Sequence, residues 1–132
     1  MRQKQLNSCI LIIGLLIAGC QRTEVKKQFY DTGQLWFETP YTNGEINGIQ
    51  KQYYKNGQLA IERPFIDGKR NGVEKDYLEN GQLLQETPYT NDSINGNKKF
   101  FKGSGKLYKV INYCNGKEGA SKNYDESGKE IK

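Results

Sequence analysis

YKNGQLAIERPFIDGKRNG, residues 54–72, holds two short runs of extended-type residues separated by Asn-Gly and Asp-Gly pairs. Such pairs accept the positive φ that a tight hairpin turn demands, so the stretch reads as a β-hairpin and not as a helix. It is also one copy of a repeat. Counting from the glycine of the Asn-Gly-Gln-Leu type turn places markers at Gly33, Gly57, Gly81, Gly105 and Gly128, at intervals of 24, 24, 24 and 23 residues. An aromatic stands four positions before every marker, at Phe29, Tyr53, Tyr77, Phe101 and Tyr124. Leu35, Leu59, Leu83 and Leu107 follow two positions after it, and Tyr41, Phe65, Tyr89 and Tyr113 eight positions after it. A second glycine recurs at Gly48, Gly72, Gly96 and Gly119. A fixed period of this kind sets the whole architecture, because each copy is one supersecondary unit that buries its apolar surface only against its neighbours.

The expected fold is therefore all-β: an elongated, single-layer antiparallel meander of 24-residue hairpin repeats, four units and a stub. About nine strands spaced ~4.8 Å apart give a stack of roughly 40 Å. Strand alternation places Leu59, Ile61 and Phe65 on one face and Ala60, Glu62 and Pro64 on the other, with Val73 and Tyr77 aligned at the same period on the shorter strand. One face is then apolar and aromatic and the other mixed. Pro40, Pro64 and Pro88 are expected near the ends of long strands, where a missing amide donor does least harm. The shortened last interval arises in NGKEG, residues 115–119, and reads as a deletion within a turn.

YYKNGQLAIERPFIDGKRNG, residues 53–72, with its aromatic, Asn-Gly-Gln-Leu, second aromatic and closing Asn-Gly, resembles the MORN-repeat variant of bacterial proteins, which includes the YwqK-family antitoxins. The resemblance runs over residues 28–131, with departures at Asp92 for glycine, Val110 for glutamate and Asn112 for proline. It implies scaffolding, protein contact or association with membrane lipid, and the antitoxin relatives imply a toxin partner.

The first twenty residues, MRQKQLNSCILIIGLLIAGC, differ from the rest. Arg2 and Lys4 begin them, an apolar run extends from Cys9 to Ala18, and small residues precede Cys20. That run is shorter than the ~20 residues that span a bilayer. Leu16-Ile17-Ala18-Gly19-Cys20 resembles the bacterial lipobox, in which a diacylglyceryl group is attached to the cysteine sulfur before cleavage. Residues 1–19 are thus expected to be a lipoprotein signal peptide, 20–27 a lipidated N-terminus and linker, and 28–132 the repeat domain. The resemblance implies two or three acyl chains on Cys20, enough for stable anchoring where one chain is not. Gln21 in place of aspartate implies the outer membrane, where the cell has one. Cys9 would be cleaved away and Cys20 acylated, leaving Cys114 as a strand residue with no disulfide partner.

The chain contains no histidine, which excludes Ser-His-Asp and Cys-His catalysis and every His-containing zinc site. Glu38, Glu62 and Glu86 recur two strands apart, roughly 9–10 Å, a spacing reminiscent of an inverting glycosidase. Nothing in the sequence gives them different environments, and a repeated solvent-facing glutamate follows from the strand pattern. Calcium at the Asn91-Asp92 turn lacks the dense acidic loop such sites use. No enzyme activity and no cofactor is expected. The mature chain carries +3 of the full +5, since cleavage removes Arg2 and Lys4; residues 95–132 hold nine Lys and four acids, while residues 20–94 hold nine basic and eleven acidic residues. The basic half suits anionic headgroups or an acidic partner. Nucleic acid is not expected, because export removes the chain from it and the aromatics belong to the repeat core. The expected role is a lipid-anchored binding or scaffold module of the cell envelope, the alternatives being a toxin-neutralising immunity protein and a lipid-binding repeat. The less regular residues Trp36, Tyr54 and Tyr108 are the candidate partner contacts.

Overall fold

The computed structural model describes residues 21–131; the expected signal peptide over residues 1–19 and the expected lipid-attachment residue Cys20 lie outside the described residues. The described chain is one antiparallel sheet. Its strands are β1 (Thr23–Phe29), β2 (Leu35–Thr42), β3 (Glu45–Ile46), β4 (Gly48–Tyr53), β5 (Leu59–Ile66), β6 (Lys69–Arg70), β7 (Gly72–Tyr77), β8 (Leu83–Thr90), β9 (Ser93–Ile94), β10 (Gly96–Phe101), β11 (Leu107–Cys114), β12 (Lys117–Tyr124) and β13 (Glu130–Ile131). The spatial order β1-β2-β4-β5-β7-β8-β10-β11-β12-β13 follows the chain, with β3, β6 and β9 as two-residue pieces paired to β2, β5 and β8. The single-layer meander expected from the repeat is the observed fold. The sheet begins earlier than residue 28, however: β1 starts at Thr23, because Val25 and its flanking residues already pair with β2.

Two turn types alternate. At the marker glycines, Tyr30 N donates to Gln34 O and Gly33 N to Tyr30 O, both at 2.8 Å, and Gly33 has φ of 90°. This is a type I turn closed by a left-handed glycine, and it recurs at Gly57, Gly81, Gly105 and Gly128. At the other end, two-residue loops take positive φ at both positions: Asn43-Gly44, Asp67-Gly68, Asn91-Asp92 and Asn115-Gly116. These are type I′ turns, whose twist matches that of the strands they join.

The long strands of the first three units each carry two irregularities. Near the start of the strand the register slips by one residue, as between Gln52↔Ile61 and Tyr53↔Leu59. That slip overturns the simple alternation: Leu59 crosses to the glutamate face beside Tyr53, and Ala60 joins Ile61 and Phe65. Near its end the register slips by two, from Tyr41↔Ile46 to Glu38↔Lys51. Pro40 lies at this second bulge, inside the strand and not at its tip; its carbonyl accepts from Asn47 N at 3.1 Å, and Asn71 with Pro64 and Asn95 with Pro88 repeat the bond at 3.0 Å. The bulge also explains the second glycine. Gly48, Gly72 and Gly96 have φ of 114°, 117° and 115°, and a Cβ on them would stand 3.1, 3.0 and 3.3 Å from the Cγ of Pro40, Pro64 and Pro88.

The fourth unit differs in a way that locates its deletion. Its type I′ turn at Asn115-Gly116 is intact, so the missing residue is not in the turn but at the bulge, where Asn47, Asn71 and Asn95 stand in the other units. With Asn112 replacing proline, β11 and β12 slip by only one residue and β12 runs unbroken over Lys117–Tyr124.

Little apolar surface is fully buried. Among the described residues, Ala60 and Ile111 are the buried hydrophobic ones, accompanied by Thr39, Thr87 and Glu74. Thr39, Ala60, Thr87, Ile111 and Glu74 all belong to the face opposite the glutamates, which is the shielded one. Glu74 is matched there by Arg63 at 2.5 Å, whose guanidinium also donates to Gln50 Oε1 at 3.2 Å.

Because Gly72 answers both a left-handed φ and the Pro64 ring, Gly72→Ala should destabilise the fold by about 1–3 kcal/mol. Gly119, whose φ lies outside the left-handed region, should tolerate alanine better despite the Asn112 carbonyl 3.3 Å from the new Cβ. Urea denaturation followed by circular dichroism measures both.

Candidate functional site

The register brings the repeated glutamates and lysines into one row. Lys27↔Glu38, Glu38↔Lys51, Lys51↔Glu62, Glu62↔Lys75, Lys75↔Glu86 and Glu86↔Lys99 are directly opposed across successive strands. Opposed charges in a sheet stabilise by about 0.2–1 kcal/mol per pair and disfavour a slipped register. Lys27 Nζ lies 3.0 Å from Glu38 and Lys99 Nζ 3.1 Å from Glu86. Tyrosyl hydroxyls join the row: Tyr53 donates to Glu38 Oε2 at 2.8 Å and Tyr77 to Glu62 Oε2 at 2.9 Å. The Lys27 bond, followed by that of Tyr53, holds the Glu38 carboxyl below its ordinary range, the direction opposite to what a general acid needs.

An apolar row flanks the charges. Val25↔Pro40, Ile49↔Pro64 and Val73↔Pro88 are opposed pairs, and Val25, Ile49 and Val73 remain 59%, 52% and 45% exposed. On the other side run the aromatic and leucine pairs Phe29↔Leu35, Tyr53↔Leu59, Tyr77↔Leu83 and Phe101↔Leu107. This face, here the ladder face, is thus a charged stripe between two apolar ones.

Trp36 and Tyr108 fall on the shielded face. The bulge beside Phe29 turns Trp36 toward Phe37, with ring centroids 4.7 Å apart, and toward Tyr30 at 5.5 Å. Tyr108 lies 6.3 Å from Phe100 in the same repeat position, and both Trp36 and Tyr108 stay partly exposed. Tyr54 ties one unit to the next. Its hydroxyl donates to Tyr77 O of the following unit at 2.7 Å, as Tyr30 does to Tyr53 O at 2.8 Å. Cys114 is an exposed strand residue. The Asn91-Asp92 turn is engaged by arginine: Asp92 Oδ1 accepts from Arg70 N at 2.9 Å and from its Nε at 3.3 Å. That first bond is the leading reason the Asp92 carboxyl is held low. Among the described residues, no three metal-ligating side chains cluster.

Ile49, the exposure of Val73 and the opposition of lysines to the repeated glutamates escape a reading of the sequence alone. The lysines are legible as Lys51, Lys75 and Lys99 at intervals of 24, while the exposure of Ile49 and Val73 depends on the bulge opposite them.

An open sheet of hairpins, each joined to the next through turn stacking and short ladders, defines a β-repeat protein with a broad exposed face. Its repeats are similar to the MORN repeat variant, whose family model matches residues 25–43, 46–67 and 70–91. Each match spans one short strand, the glycine turn and one long strand. No curated protein and no solved structure matches the chain.

Burial, with the Glu38 and Glu62 bonds next in importance, raises the Tyr53 and Tyr77 hydroxyls to about 12. A folded-state pKa above the unfolded value favours the protonated phenol in the fold. The stability this adds is complete below about pH 10 and is lost as pH rises through about 12. The stability difference between wild type and Tyr53→Phe/Tyr77→Phe should therefore be constant below pH 10 and shrink, in favour of the variant, above it. Phenolate absorbance and denaturant titrations at matched pH test this.

Proposed function

We propose that the chain is a lipid-anchored, non-catalytic binding module of the cell envelope, which presents its ladder face to a protein partner. The observation that carries the reading is the exposed Val25, Ile49 and Val73 row beside ordered, alternating charges. Exposed apolar side chains bordered by oriented charges supply both desolvation energy and register to an incoming surface. The lipobox-like stretch ending at Cys20 supports export and attachment of acyl chains, at the outer membrane where the cell has one. Lys27, Lys51, Lys75 and Lys99 place each repeated glutamate between opposite charges, which supports binding over acid–base chemistry.

The finer resemblance to antitoxins favours a toxin as that partner, captured at the membrane. Direct association with anionic lipid is supported by the basic excess of residues 95–132.

Two lesions separate anchor from face. Cys20→Ser should move the chain from the membrane to the soluble fraction while leaving its circular dichroism unchanged. Ile49→Thr/Val73→Thr should leave it membrane-bound and folded, yet lose the stoichiometric partner recovered by in-cell crosslinking and mass spectrometry. Recovery of the same partner by the double variant, or only lipid and abundant lipoproteins with the wild type, would overturn the protein-binding reading.

A further inference from the structure

The ladder is interrupted once among the described residues, at Val110. This residue stands opposite both Lys99 and Lys122, where the three preceding units have glutamate. Tyr124, counterpart of Tyr53 and Tyr77, therefore faces a valine where they bond Glu38 and Glu62. The neighbouring row changes in the opposite sense: Asn97↔Asn112 replaces the aliphatic–proline pairs, with Asn112 Nδ2 donating to Asn97 Oδ1 at 2.9 Å. Together these exchanges open a groove of about 410 Å³, lined by Lys99, Val110, Asn112, Ala120, Lys122 and Tyr124 among others.

We propose that this groove receives a glutamate side chain from an extended segment of the partner protein, completing the ladder in trans. The inference rests on the ladder face being an interaction surface. Val110 and Ala120 give the aliphatic part of such a side chain an apolar floor. Lys99 and Lys122 would flank its carboxylate as Lys51 and Lys75 flank Glu62, and the Tyr124 hydroxyl would donate to it as Tyr77 does to Glu62. Lys99 already touches Glu86 at 3.1 Å and Lys122 touches Glu130 at 2.8 Å, but an ammonium has three donors and can serve a second carboxylate. The asparagine pair argues for a peptide over a lipid headgroup. Once bonded to each other, the two amides leave the Asn112 carbonyl as acceptor and the Asn97 amide as donor, which match the N–H and C=O of a peptide backbone. The phosphate of a lipid headgroup offers no donor to the former; a headgroup could supply one only through its alcohol or amine, without the paired N–H and C=O spacing of a peptide.

The test uses the full-length chain in detergent micelles, observed by NMR. The probe is an acetylated, amidated pentapeptide with a central glutamate between two valines; its twin has glutamine at the centre. The glutamate peptide should give saturating shifts at Val110, Ala120 and Tyr124, with the glutamine twin at least about tenfold weaker. Val110→Glu, which restores the glutamate of the other units, should abolish those shifts and raise the melting temperature; Val110→Ile should retain binding. Equal binding of the two peptides, or undiminished binding to a folded V110E chain, would overturn the proposal. So would V110E-sensitive binding to phosphatidylglycerol vesicles without binding of the peptide, which would reassign the groove to lipid phosphate. The pull-down with Ile49→Thr/Val73→Thr probes the earlier units, so failure of the face and failure of the groove are read separately.

Discussion

Everything in this sheet depends on the junction where a long strand meets the short strand of the next hairpin. Within a hairpin the pairing is extensive, from Gly48↔Phe65 to Tyr53↔Leu59. Between hairpins the continuous ladder shrinks to two opposed pairs, such as Ile61↔Asp76 and Glu62↔Lys75, before the two-residue bulge around the proline interrupts it. Among the described residues only Ala60 and Ile111 contribute buried apolar side chains, so no deep core holds the units together. The junction is therefore electrostatic and hydrogen-bonded to an unusual degree, and the alternating Glu–Lys row lies directly on it.

Other bonds reinforce this narrow junction from both ends. At one end, tyrosyl hydroxyls of Tyr30 and Tyr54 reach the backbone carbonyl of the next unit's aromatic. At the opposite end, turn amides stack: Gly68 N donates to Ile46 O, Asp92 N to Arg70 O and Gly116 N to Ile94 O. The bulge asparagines add a second line, with Asn47 Nδ2 donating to Asp67 Oδ1 at 2.8 Å. The fourth unit lacks this asparagine, so the line has no donor to extend beyond it.

The same economy explains why the ladder face is available for binding. A sheet that buries Thr39, Thr87 and Glu74 on one side leaves the other side to be stabilised largely by cross-strand pairs. Those pairs order the charges without covering the aliphatic residues beside the prolines. On the proposed reading, fold and interaction surface share the same residues, and the exchanges at Val110 and Asn112 would alter recognition while the order of the hairpins persists.

Period, hairpin order and turn positions were legible in the sequence because glycine, asparagine and the aromatics answer local backbone and pleat requirements at a fixed spacing. The negative inference from absent histidine was equally direct. The alternation placed Ile61 with Phe65 and Glu62 with Pro64 correctly, but the side taken by the strand's first residues was not legible, because the one-residue bulge reverses the alternation there, moving Leu59 to the glutamate face and Ala60 away from it. Nor could the spacing of Glu38, Glu62 and Glu86 reveal the lysines between them, since that opposition is a matter of register across strands, not of distance along the chain. The sequence by itself determined the repeating hairpin and its turns, which are local properties. Only the tertiary structure decided the ladder, the exposed aliphatic row and the gap at Val110, because all three arise from how bulged strands align side by side.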